Sequence, residues 1–241
     1  MRNVWDDELR SGQLLWRYFK APRFLSFLET GTLYFAPVQD FVDQFEGALA
    51  IIPPQFIDPR YAESDSTDEA FRALKKDTNV NCWHQAERES DAMWRLYAEE
   101  GKGVVICSTL KRMRSALKPF FFTPQAREPE ELWVGPVRYV DLTQVRLKNF
   151  GIQRFFYKHV VFEFEREFRL AFNLEQARLW NGRSEAEGAF VSADPKLLVE
   201  RIILGPLLSD EVRTQIAEHV NKAGLGDRLV NSILLGQARY V

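Results

Sequence analysis

Residues 161–170, VFEFEREFRL, carry the densest group of side chains in this chain that could move protons. Read at period two, Phe162, Phe164, Phe168 and Leu170 share one face, and Glu163, Glu165, Glu167 and Arg169 share the other. Side chains two apart on a strand lie roughly 7 Å from each other, so the carboxylates interact and Arg169 can neutralise one of them. Two readings follow. On an exposed sheet face the row is a charge ladder contributing about 0.2–1 kcal/mol per matched pair. In a cleft, Arg169 would hold one glutamate ionised while burial and a neighbouring carboxylate raise another, which is the split that acid–base chemistry needs.

Other chemistries find less material. The GKG at 101–103 has neither the earlier glycine nor the Ser or Thr of a phosphate-binding loop, and no G-x-G-x-x-G or G-x-S-x-G occurs. Cys82 and His84 share a strand face, but a zinc site would need distant His159 or His219 as well, and no metal site is expected. A cysteine nucleophile paired with His84 or His159 lacks the helix N-terminus or similar setting that lowers a thiol pKa. Trp94 and Tyr97 stand three apart beside Met93, the spacing of a core stripe or of a platform for a base or sugar.

Composition bounds the class. The chain has 241 residues, 46% hydrophobic and 27% charged, which is globular and ample for a buried core. A net charge of -2 offers no long-range attraction for nucleic acid. Two cysteines cannot make a disulfide framework, and two reduced, buried thiols are expected. The N-terminal residues lack the apolar core of a signal peptide, and no run reaches the roughly 18 apolar residues of a membrane span, so a cytoplasmic protein without membrane attachment is expected.

The elements that must position these groups are legible from punctuation. Residues 14–19 and 32–36 read as strands around a helix with Pro22 in its first turn and Gly31 at its end. A proline-broken loop follows, then a helix capped by Thr67, a strand over 78–84, and a helix capped by Ser90. Residues 103–108 form a buried strand, leading into a helix from Thr109 to about Lys118. After a long loop, WVGPVRYVDL reads as one strand, residues 148–159 as a helix, and 161–170 as the longest strand. VERIILGP, a helix capped by Ser209 and RLVNSILL close the chain as strand, helix and strand. Strands and helices intermix without strict alternation, and no stretch has the composition of a linker. The expectation is a single α+β domain over 1–241, its mixed or largely antiparallel sheet of roughly six to eight strands flanked by helices.

Several short stretches, in order and spacing, resemble a bacterial family known as domain of unknown function 2971. They are WRYF with Arg17 and Tyr18, then ETGTLYFAP, then VDQFEG with Asp43, Phe45, Glu46 and Gly47. CWH at 82–84, ES-x-x-M-W-x-x-Y with Glu89, Ser90, Met93, Trp94 and Tyr97, and GKGVVI follow. VRYVD and FFYKHVVFEFEREFRL complete the likeness, which covers about residues 14–205. Val42 and Gln44 replace the family's usual Asn and Pro, so the turn before Glu46 is a point of departure. The resemblance singles out Lys158, Glu165, Glu167 and Arg169 as catalytic candidates and leaves Glu163 outside the pattern. Arg17, Tyr18, Asp43, Glu46, His84, Trp94 and Tyr97 become ligand-binding candidates.

The opening strand–helix–strand also looks like the start of ADP-ribosyltransferase folds, which place a basic residue on an early strand and a glutamate on a late one. That likeness implies a nucleotide-handling enzyme: Arg17 grips a pyrophosphate, Trp94 or Tyr97 stacks on a ring, and Glu165 or Glu167 serves the reaction. The partner would be a nucleotide or dinucleotide such as NAD, with no further cofactor specified. The alternatives are a non-catalytic binding or regulatory module of a phage-defence or toxin–antitoxin system, and a metal-dependent nuclease built on Asp43, Glu46, Glu165 and Glu167 with Lys158.

Overall fold

Strand β5 (Val104–Thr109) is buried at every position, as its run of β-branched residues requires, and it is paired antiparallel on both sides. The computed structural model describes residues 1–52, 65–122, 126–148, 151–175 and 188–235, and side chains 65–68 are outside that description. The strands assemble into one ten-stranded mixed sheet in the order β1 (Arg2–Asn3), β6 (Trp133–Pro136), β9 (Glu167–Asn173), β4 (Thr78–Gln85), β2 (Leu14–Phe19), β5, β11 (Arg201–Leu204) and β12 (Leu229–Asn231), with β3 (Thr32–Pro37) on β4 and β10 (Ala189–Ser192) on β3. The expected six to eight strands are exceeded, and the largely antiparallel form of that expectation gives way. Short segments add as parallel neighbours at both edges, β1 (Arg2–Asn3) on β6 (Trp133–Pro136) and β12 (Leu229–Asn231) on β11 (Arg201–Leu204). Two-residue and three-residue edges of this kind leave too weak a hydrophobic pattern to be read from sequence.

The chain divides into two compact units. The first comprises Met1–Leu9, Tyr34–Cys82 and Pro119–Phe190. It holds β1, most of β3 (Thr32–Pro37), helix α2 (Asp65–Asp77), residues 78–82 of β4 (Thr78–Gln85), β6, β7 (Arg138–Val140), β8 (Tyr157–His159) and β9 (Glu167–Asn173). One core cluster within it gathers Val4, Trp5, Val38, Val80, Phe155, Phe156 and Ala171, with Phe41, Phe71 and Cys82 packed against it. Each large apolar side chain buried there contributes about 1.5–3 kcal/mol.

The second unit comprises Arg10–Leu33, Trp83–Lys118 and Val191–Val241. Here β2 (Leu14–Phe19) pairs antiparallel with β5, Trp16 opposite Cys107 and Tyr18 opposite Val105. Trp16, Trp94, Ala98, Val105, Cys107 and Ile203 form a core cluster. The stop and cap signals act as expected: Gly31 ends α1 (Ala21–Thr30) in the left-handed region at φ 61°. Ser90 Oγ accepts from the Met93 N–H at α3 (Asp91–Tyr97), and Ser209 Oγ from the Val212 N–H at the helix Asp210–Lys222.

Five local expectations are corrected. Residues 160–165 form a 3-10 turn, and only from Glu167 does the chain become a strand. WVGPVRYVDL is two strands, because β7 leaves the large sheet after Pro136 and pairs in parallel with β8. Residues Gly151–Phe156 are a 3-10 turn leading into β8, not a helix. RLVNSILL is strand only through Asn231 and then turns. The helix expected to start after Thr67 already runs from Asp65, so Thr67 lies inside it. Part of the expected proline-rich loop, residues 53–64, lies outside the described residues.

Candidate functional site

Arg166 takes the left-handed conformation at φ 41°, and this break sets the side chains of the first unit's charged cluster. Without it, Glu165 would continue the alternation of β9. With it, Glu165 is the last residue of the 3-10 turn and is buried, while Glu163 and Phe164 lie exposed. Glu167 and Arg169 alternate with Phe168 and Leu170 on β9, and all four are buried. The row is therefore neither an exposed ladder nor the wall of an open cleft.

Arg169 is the centre of the cluster and is 0% exposed. Its Nε donates to Glu167 Oε2 at 2.7 Å, and Nη2 donates to Glu167 Oε1 at 3.0 Å. Nη1 and Nη2 form a fork onto the two oxygens of Glu46 at 2.5 and 3.0 Å, and Nη1 also donates to the Phe155 carbonyl at 2.6 Å. A guanidinium has five N–H donors, and all are used. Lys158, buried on β8, donates from Nζ to Glu167 Oε1 at 2.8 Å and to Glu165 Oε2, and lies over the Phe162 ring. Asp43 Oδ1 accepts from the Phe45 N–H at 2.9 Å, closing the turn that delivers Glu46 to the interior. Tyr139, which sequence reasoning did not single out, accepts the Glu167 N–H on its phenol oxygen at 2.8 Å.

The electrostatics follow from this wiring. Burial opposes ionisation of Glu167, but Arg169 and Lys158 outweigh it and hold the carboxyl well below the usual range, aided by a hydrogen bond with Glu165. Burial likewise works against the charge on Arg169 and on Lys158, and the neighbouring carboxylates led by Glu167 overcome it, raising both. Burial, reinforced by Glu167, pushes the Cys82 thiol up, and burial raises Cys107 to about 11. Neither cysteine is primed as a nucleophile. Cys107 is buried as expected, whereas Cys82 keeps part of its surface exposed while its thiol faces Glu167.

The remaining candidates belong to the second unit. Arg17 and Tyr18 are consecutive on β2 and so point to opposite sheet faces. The Arg17 guanidinium lies over Phe19 at 5.3 Å and Trp83 at 6.0 Å. Tyr18 packs edge-on against Trp94 at 5.3 Å and His84 at 6.4 Å, and its phenol oxygen accepts the Ser90 N–H. Trp94 is buried, with its indole N–H donated to Glu89 Oε2 at 2.7 Å, so it is core and presents no stacking face. Glu89 also accepts from Ser232 Oγ and the Ile233 N–H. Of the pair named for stacking, only Tyr97, at 45% exposure, keeps an open side chain.

Among the described residues, no group of His, Cys, Asp or Glu is arranged to hold a metal ion, and no helix is long and apolar enough to cross a membrane. What fold and site together define is a mixed α/β protein with a buried, saturated ion-pair cluster. Comparison with protein-family models, curated proteins and solved structures finds no match for this chain.

The cluster makes stability depend on pH at both ends. Glu167 has a folded pKa below its ordinary 4.5, so its contribution is present above about pH 5 and is lost as pH falls through the depressed value. Lys158 has a folded pKa above 10.5, so its contribution is complete below that value and is lost as pH rises past the folded one. Thermal unfolding followed from pH 3 to 9 should give a melting temperature that falls on the acid side. Glu167→Gln should lower the plateau and flatten that acid limb. An acid limb of unchanged steepness in the variant would place the titrating group elsewhere.

Proposed function

We propose that this protein is a non-catalytic binding or regulatory module, in which the acidic strand rigidifies the sheet. The observation that carries this reading is the saturation of Arg169: every donor of its guanidinium is spent on Glu46, Glu167 and the Phe155 carbonyl. A general base must offer a lone pair to substrate, and a group stabilising a cationic transition state must be reachable. Glu46, Glu165 and Glu167 are buried and engaged with Lys158 or Arg169 instead. The setting proposed for such a module is a phage-defence or toxin–antitoxin system.

A nucleotide-handling enzyme with an ADP-ribosyltransferase-like arrangement is the competing reading, and it makes Glu165 or Glu167 indispensable. Purified protein incubated with NAD is expected to release no nicotinamide, and Glu165→Gln is expected to change stability rather than an activity. Nicotinamide release by the wild type that vanishes in Glu165→Gln, with the circular dichroism spectrum and melting temperature preserved, would overturn the module reading.

A further inference from the structure

Phe71 and Lys75 are one helical turn apart on α2, and the Lys75 Nζ lies 5.4 Å from the Phe71 ring centroid. The Arg154 guanidinium, carried by the 3-10 turn Gly151–Phe156, lies over the same ring at 4.2 Å. Two cations thus converge on one phenylalanine within the first unit. Arg154 Nε donates to the Gly47 carbonyl at 2.5 Å, which fixes the guanidinium plane. Its two terminal amino groups make no hydrogen bond and no ion pair among the described residues, and Lys75 makes none either. Both residues are half-buried. Desolvation alone acts on Arg154 and draws its pKa down, with no anion to oppose the shift. This is the reverse of Arg169, whose carboxylates raise it.

We propose that Arg154 and Lys75, which both lie against the Phe71 ring, form a binding site for a phosphate group, either free or as the terminal group of a small phosphate ester. The chemistry selects phosphate over a carboxylate. The guanidinium fork offers planar paired donors, the ammonium supplies a second positive charge, and a dianion uses both at once. The ring favours the cations while it keeps water from one side of the site. Neither Arg154 nor Lys75 bonds to a member of the saturated cluster, so the proposal does not depend on whether that cluster is catalytic.

The test is titration of the full chain with inorganic phosphate, and separately with AMP, by calorimetry and thermal shift at constant ionic strength set with chloride. Phosphate is expected to raise the melting temperature where chloride does not. Arg154→Gln is expected to weaken phosphate binding about tenfold or more, and Lys75→Gln by a smaller factor. AMP binding tighter than phosphate would identify a phosphate ester as the ligand, and equal or weaker binding would identify free phosphate. Should Arg154→Gln lose the fold through its bond to Gly47, Lys75→Gln alone decides, because its side chain is not tied to the backbone. Absence of phosphate binding in the wild type, or equal binding by wild type and Lys75→Gln, overturns the proposal.

Discussion

Arg169→Met is expected to lower the unfolding free energy by about 3–5 kcal/mol, read from urea titration, which is a large share of a typical 5–15 kcal/mol total. Methionine fills much of the space but returns none of the five hydrogen bonds. Glu46, fully buried, would lose both partners of its fork, and Glu167 would keep only Lys158 among its cations. The Phe155 carbonyl would lose its donor as well. The cost arises from the charges left behind rather than from the net value of the pairs, because burying a paired ion already consumes most of its Coulomb gain. Arg169→Lys should also be destabilising, since an ammonium has three donors where this position uses five in a plane. Glu46→Met combined with Arg169→Met should cost less than the sum of the two single changes, because it removes one of the stranded carboxylates. A loss below about 1 kcal/mol for Arg169→Met would mean that the cluster is solvated and its members free to serve another role.

Part of this cluster was legible in the sequence. The alternation of Glu167, Phe168, Arg169 and Leu170 marks a strand, and Lys158 and the Glu46 loop were singled out with it. What periodicity could not give is the break at Arg166. A positive φ at an arginine leaves no compositional trace, and without it Glu163, Glu165 and Glu167 look equivalent. Nor could it give burial on both faces of β9, because an alternating pattern is the signature of a strand with one wet face. The polar face stays dry here because the charges answer one another across the unit, from β8, the 3-10 turn and the 43–47 loop. Such long-range complementarity has no local signal. The caps and stops, in contrast, were read correctly at Gly31, Ser90 and Ser209, since each acts within one helical turn. The same locality explains Trp94. Its spacing left core and stacking platform open, and the deciding contact, the Glu89 carboxylate on its indole N–H, depends on the fold of the preceding turn.

Gly47→Ala is expected to cost roughly 2–5 kcal/mol, from two sources. Gly47 sits at φ +75°, where an L-residue pays about 1–2 kcal/mol, and a Cβ there would meet the Phe155 ring, 2.7 Å from Cδ1. Relieving such an overlap in a packed interior typically costs about 1–3 kcal/mol. Phe155 cannot simply step aside, because it is fully buried and its carbonyl is held by Arg169. The loop must move instead, and it is the loop that seats Glu46. If that displacement draws Glu46 out of the Arg169 fork, part of the cost of Gly47→Ala is the cost of breaking the fork. Gly47→Ala should then be less damaging in a Glu46→Gln background than in the wild type, by about 0.5–3 kcal/mol of coupling. Strict additivity would mean that Glu46 stays seated and the strain is confined to Gly47 and the ring. Because the Gly47 carbonyl also holds Arg154 Nε, the same variant should weaken phosphate binding even where the fold survives. Denaturant titration and phosphate calorimetry on one set of four proteins would therefore separate the loop's service to the buried cluster from its service to the anion site.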